Sequence, residues 1–256
     1  MSMSARGDSV AIHADLAALT LAAAEWLVRG AAAAVAERGR CTVAISGGGT
    51  PMPLYALLAT PDWRERVPWP RLHLFWCDER VVPADDERSN YGGVRRVLLP
   101  HVAIPAGNVH PIPTGASTPA QAATQYEQTI RRVVGGEPLL PALDLVLLGI
   151  GDDGHTASLF PDSSLLRIDR SPLVAADPVL RARTFRISMT LPLLNAARDV
   201  AFLVAGDAKA NALRATLGSD RAPRPLPAQL VRPTTGSLRW LVDRAAAAGL
   251  PESPKP

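Results

Sequence analysis

Residues 143–150, Leu-Asp-Leu-Val-Leu-Leu-Gly-Ile, are apolar almost without interruption and run straight into Gly151-Asp152-Asp153-Gly154-His155. So short an apolar run, ended by a turn sequence, reads as a strand. It lacks the in–out alternation of a half-exposed strand, so both of its faces must be covered. The chain therefore needs a mainly parallel sheet with helices on either side. The flanking pattern supplies it. Helical spacing over residues 14–38 stops at Gly39, and a β-branched run follows at 41–45. Strands are also expected at 71–77, 184–189, 199–205 and 237–242. Helices are expected from Ser89 to about Leu98 and at 119–134, 192–197, 208–217 and 243–249. Alternation of this kind defines an α/β fold. The prolines at 100, 105, 111 and 113 mark 100–116 as an extended connection.

No internal repeat or long linker divides the 256 residues, so 1–250 reads as one domain. The tail 251–256 is expected to be disordered, and the Pro/Arg stretch 221–227 to be a mobile loop. Net charge is only +3, and the cations are scattered rather than clustered, so no nucleic-acid partner is expected. No segment holds eighteen uncharged apolar residues, and Asp15, Glu25 and Arg29 spoil residues 16–28 as a signal peptide. Neither membrane nor export is expected, and the cytosol is the default compartment. Cys41 and Cys77, each in or beside a strand, read as buried free thiols.

Open parallel sheets bind ligands outside the carboxyl ends of their strands. Four clusters fall at such ends. Ser46-Gly47-Gly48-Gly49-Thr50-Pro51 joins a strand to a helix, with Thr50 as its expected cap and Pro51 at its first position. Glycine permits close approach of backbone to an anion, and a plain tight turn would look the same. Neither the nucleotide-loop nor the dinucleotide pattern is present. Asp78-Glu79-Arg80 offers a guanidinium for a phosphate, or else only a surface salt bridge. His155 has the chemistry of a general base, with Asp153 placed to orient it. A helix cap beside a structural histidine, or a metal site using Asp152, Asp153 and His155, would share those residues, but a full ligand set is not evident nearby. The chain has 27 cationic side chains, of which only Lys209 and Lys255 are lysines. Lys209, in Gly206-Asp207-Ala208-Lys209, is thus either a phosphate contact or a solvated helix-start residue.

Five segments in order resemble the 6-phosphogluconolactonase family: ISGGGTP at 45–51, DERVVPADDERSNYG at 78–92, LGIGDDGHTASLFPD at 148–162, ISMTLPLLNAARDVAFLVAGDAKANAL at 187–213 and LPAQLVRPTTGSLRWLVD at 226–243. The resemblance implies a single Rossmann-like α/β domain, the fold shared with glucosamine-6-phosphate deaminases and ribose-5-phosphate isomerases. It implies hydrolysis of 6-phospho-D-glucono-1,5-lactone, the second step of the oxidative pentose phosphate pathway, without metal or cofactor. His155 would activate water with Asp153 in support, and Arg80 and Lys209 would hold the phosphate. Gly47, Gly48, Gly49, Thr50 and Asn90 would line the substrate site. The partner would be a small phosphorylated sugar lactone, and the chain a monomer or weak homo-oligomer. Gly49 stands where the family often has serine, and Asp162 where many members have glycine. Two rivals share the fold or the pocket. A deaminase would need a glutamate soon after its Asp-Gly-His, yet the one glutamate beyond His155 is Glu252. A sugar-phosphate sensor would have no need of both Asp153 and His155.

Overall fold

The computed structural model describes residues 9–116, 118–135, 140–179, 184–218 and 224–250. Its main sheet is parallel throughout and contains Ser9–His13 (β1), Cys41–Ile45 (β2), Leu72–Trp76 (β3), Val109–His110 (β5), Leu145–Gly149 (β6), Asp199–Val204 (β9) and Ser237–Asp243 (β10). The order is β1-β10-β9-β6-β2-β3-β5. The apolar run thus becomes the central strand, buried from Leu145 to Leu148. Asp144, the polar interruption at its start, is also buried. Its carboxylate accepts hydrogen bonds from Thr42 N and Oγ1, both at 2.8 Å, and from Arg38 Nε at 2.8 Å. One side chain thereby ties the beginnings of β2 and β6 to a helix end.

That helix is Leu16–Arg38 (α1). Asp15 caps it by accepting from Ala18 N, and Gly39 ends it at φ 73° with its N–H on Val35 O. The helix is long and apolar enough to cross a membrane, but Leu19, Ala23, Leu27, Ala31 and Ala34 are buried in the core. The remaining helices are Met52–Leu58 (α2), Pro61–Arg64 (α3), Asn90–Val97 (α4), Pro119–Val134 (α5), Leu191–Asn195 (α6), Ala210–Leu217 (α7) and Pro227–Leu230 (α8). Cys41 and Cys77 are free and buried, as their strand positions imply.

Several elements differ from expectation. The stretch 184–189 is a strand, Thr184–Met189 (β8), but it belongs to a second, antiparallel sheet. There it lies between Asp78–Arg80 (β4) and Val174–Val179 (β7). β4 is three residues long and β7 contains Pro178, so neither carries a strand-like pattern of its own. The connection 100–116 is not simply extended. It holds 3-10 turns at Leu99–His101 and Ala106–Asn108, and its Val109–His110 pairs with β3. Residues 207–209 and 246–249 are likewise 3-10 turns rather than α-helix. Of the expected loop at 221–227, residues 221–223 lie outside the described residues, and Pro227 opens α8. The tail 251–256 lies outside them too.

The chain winds from β2 through β3 to β5 at one edge, then returns to place β6 on the other side of β2. Strand order therefore reverses between β2 and β6. Loops leaving the two strands there diverge and open a crevice, the place where α/β sheets bind ligands.

Candidate active site

That crevice is a cleft of about 380 Å³. Its lining includes Gly47, Gly48, Gly49 and Thr50 after β2, His155 after β6, Arg80 from β4, Asn90 from α4 and Lys209 after β9. Each residue expected in the catalytic and substrate-binding set lines this space except Asp153, which stands against His155. Among the described residues no three His, Cys, Asp or Glu side chains converge as a metal-binding set.

The loop after β2 is held from both sides. Ser46 Oγ donates to Leu147 O at 2.9 Å, and the Tyr55 hydroxyl donates to Ser46 O at 2.5 Å. A Cβ on Gly47 would fall 1.9 Å from Asn90 Oδ1, so any side chain there would expel Asn90. Gly48 has φ +95°, a left-handed backbone that favours glycine. Thr50 does not cap the following helix. Pro51 occupies the cap position without a side-chain bond, because the helix begins one residue later than its sequence suggests. Thr50 lines the cleft instead.

The loop after β6 builds a hydrogen-bonded pair. His155 Nδ1 lies 2.6 Å from Asp153 Oδ1, which also accepts from the His155 backbone N–H at 3.1 Å. A carboxylate facing Nδ1 holds the proton there and leaves Nε2 with its lone pair. The ring packs against Phe160, with centroids 4.5 Å apart. Gly151 N donates to His155 O at 2.8 Å, closing the loop. A Cβ on Gly151 would sit 2.0 Å from His155 Nδ1 and 2.8 Å from Asp153 Oδ1, so the pair forms only against a glycine. Ala157, also on the cleft wall, has φ 48°, an unusual conformation for a residue with a Cβ.

The opposite wall is β4 and α4. Asp78 and Glu79 are buried and make no ion pair with Arg80, so this segment is not a surface salt bridge. Glu79 accepts from Arg80 N at 2.8 Å, Asn90 N at 2.7 Å, Tyr91 N at 2.7 Å and Ser89 Oγ at 3.1 Å. Burial pushes its carboxyl above the usual range, while the three backbone donors pull it back. Asp78 accepts from Ser158 Oγ at 2.6 Å and from Asn90 Nδ2 at 3.2 Å. Asn90 Nδ2 also donates to Asp78 O at 2.9 Å, which fixes the amide and turns Oδ1 toward Gly47. That Oδ1 is buried without a donor. Arg80 Nη1 donates to Arg88 O at 2.6 Å. Lys209 ends the turn Asp207–Lys209 after β9, where Gly206 N donates to both oxygens of Asp243 at 3.1 and 3.0 Å.

Sequence reading missed the positioning work of Glu79 and Ser158. Their partners lie within or between the segments 78–92 and 148–162, but which groups pair there depends on how those segments fold together. The only hint was that two carboxylates preceded Arg80 at a strand end.

Chemically, the cleft offers one imidazole oriented by a carboxylate, two cationic side chains and a glycine loop. Residues 14–240 match the family described as glucosamine-6-phosphate isomerases/6-phosphogluconolactonase. A 6-phosphogluconolactonase of Synechocystis is 43% identical over 220 residues, covering 85% of this chain and 88% of the relative. One of Nostoc is 39% identical over 243 residues, covering 94% and 98%. The crystal structure of 6-phosphogluconolactonase from Thermotoga maritima superposes with a TM-score of 0.77 at 30% identity, covering 93% of this chain and 100% of that one. With the match spanning nearly the whole sheet and both walls of the cleft, the chain belongs to the glucosamine-6-phosphate isomerase/6-phosphogluconolactonase family.

Proposed function

We propose that this protein hydrolyses 6-phospho-D-glucono-1,5-lactone to 6-phospho-D-gluconate, acting in the cytosol as the second step of the oxidative pentose phosphate pathway. The observation that carries this reading is the Asp153-held His155 in one cleft with Arg80 and Lys209. Arg80 and Lys209 hold the phosphate, a dianion that two cations match. The phosphate then fixes how far the lactone ring reaches toward His155. Nε2 removes a proton from water as its oxygen attacks the ring carbonyl. Asp153 holds the imidazole in the required tautomer and stabilises the imidazolium that forms. The tetrahedral oxyanion collapses, the ring C–O bond breaks, and the alkoxide takes the proton back from His155. A glycine loop lining the cleft can offer backbone N–H groups rather than side chains, the type of donor that stabilises such an oxyanion. Asn90 Oδ1, buried without a donor, suits a sugar hydroxyl.

Lactone opening needs only modest help. A positioned base supplies about 10²–10⁴-fold, and each charge-assisted phosphate contact contributes about 1.5–3 kcal/mol to binding. The deaminase alternative would require a carboxylate after the Asp-Gly-His turn. The segment there, Thr156 to Phe160, instead donates Thr156 Oγ1 to Gly149 O and Ser158 Oγ to Asp78. The test is proton release from freshly generated phosphogluconolactone, corrected for spontaneous hydrolysis. Turnover supports the proposal; binding of the sugar phosphate with no turnover would replace it with a sensor.

A further inference from the structure

Arg186 of β8 is the Cα partner of Arg80 across the antiparallel pair β4·β8. Side chains of directly opposed residues leave the same face of a sheet, so the two guanidinium groups share one region. Arg80 lines the cleft. Arg80 Nε and both Nε and Nη1 of Arg186 are buried N–H donors that meet no acceptor. Three such orphans together are unusual, since buried donors are nearly always satisfied.

The neighbouring carboxylates do not supply the missing acceptors. Asp78 is engaged by Ser158 and Asn90, and Glu79 by Ser89 and three backbone N–H groups. The charge balance points the same way. Burial lowers the pKa of Arg186, and the positive charges of Arg80 and Arg88 lower it further, against the pull of Asp78 and Glu79, so its positive charge is under-compensated. Two partly buried like charges side by side, with donors unspent, form an arrangement that an anion completes.

We propose that Arg186 is a second phosphate-binding guanidinium, closing with Arg80 on the phosphate of the lactone from the side away from the sugar. The inference rests on the reading of the cleft as a phospholactone site and adds a residue to it. Arg186 is not among the residues that line the cleft, so its guanidinium must turn about the side-chain torsions to reach phosphate oxygens beside Arg80. The fork geometry of guanidinium matches two such oxygens at once, which a lysine cannot do.

The test compares wild type with Arg186→Gln and Arg186→Lys. Inorganic phosphate binding is measured by calorimetry, and lactone hydrolysis with and without the 6-phosphate. Arg186→Gln should weaken phosphate binding about 10- to 100-fold, the loss of a charge-assisted contact. It should raise KM for the phosphorylated lactone far more than it lowers kcat, and cost at least about tenfold more on that substrate than on glucono-1,5-lactone. Arg186→Lys should recover part of the affinity. With ligand absent, Arg186→Gln should melt no lower than wild type, because a repulsion is removed. Unaltered phosphate affinity, or a lower melting temperature with equal losses on both lactones, would overturn the proposal and leave Arg186 a structural residue. If wild type opened no lactone yet bound phosphate through Arg186, the proposed reaction would fall and the anion site would stand. If it opened the lactone with phosphate binding indifferent to Arg186, only this inference would fall.

Discussion

The two walls of the cleft hold their residues by different means. On the β2 and β6 side, the loops are kept in place by hydrogen bonds onto backbone carbonyls and by the lack of side chains: Gly47 makes room for Asn90, and Gly151 makes room for the His155–Asp153 pair. On the β4 side, placement depends on buried polar side chains, with Glu79 gathering four donors and Asp78 joining Asn90 to Ser158. The first wall is therefore sensitive to added volume and the second to lost acceptors. In the proposed reaction the moving proton belongs to the first, and the phosphate contact of Arg80 to the second.

The sharpest way to break the first wall is chemical. His155→Ala should lower kcat by about 10²–10⁴ with little change in melting temperature, as measured by steady-state hydrolysis beside thermal unfolding. Gly151→Ala should match it without touching a reacting group, since its Cβ would sit 2.0 Å from His155 Nδ1. A Gly151→Ala enzyme of full activity would show that the pair is not held as described. On the binding side, Lys209→Ala should raise KM about 10- to 100-fold on the phosphorylated lactone, and much less on glucono-1,5-lactone. Equal losses on both would remove Lys209 from phosphate recognition.

Glu79→Gln probes the second wall through its acceptors. The amide NH₂ would face backbone N–H groups, leaving donors unmet, so stability should fall by about 1–3 kcal/mol in denaturant titration. KM should rise as Arg80 and Asn90 loosen. Away from both walls, His110 stacks on Phe75 and faces His73 Nδ1 at 3.1 Å. Burial, then the charges of His73 and Arg132, lower its pKa from 6.5 to about 4. The unfolded chain takes up that proton first, so stability should decline as pH falls from about 6.5 to about 4, and His110→Gln should flatten the decline. The smallest effect belongs to Gly49→Ser. A Cβ there meets nothing within 4 Å, so the melting temperature should hardly move, which contrasts it with Gly47 in the same loop.

Legibility in the sequence followed the same division. Within each loop of the first wall the residues sit within a few positions of one another, and local turn chemistry made the glycine loop and the Asp153–His155 pair readable. The helices α1 and α5, with their helical spacing, and β6, with its unbroken apolar run, were equally readable, since their patterns lie within one window. The edge strand β1, the three-residue β4 and the proline-containing β7 were not, because their strand character comes from the neighbours they pair with.

From the sequence alone came the alternation of strands and helices, the strand ends where chemistry gathers and the residue types able to perform it. Those are local properties: hydrophobic period, turn residues and functional groups belong to each segment by itself. Only the tertiary structure decided that strand order reverses between β2 and β6, that Glu79 organises the wall holding Arg80, and that Arg186 stands beside it. The first and third depend on contacts between distant parts of the chain, and the second on the burial of a carboxylate among the turns that follow it, so pairing and burial, not local composition, determine which groups meet.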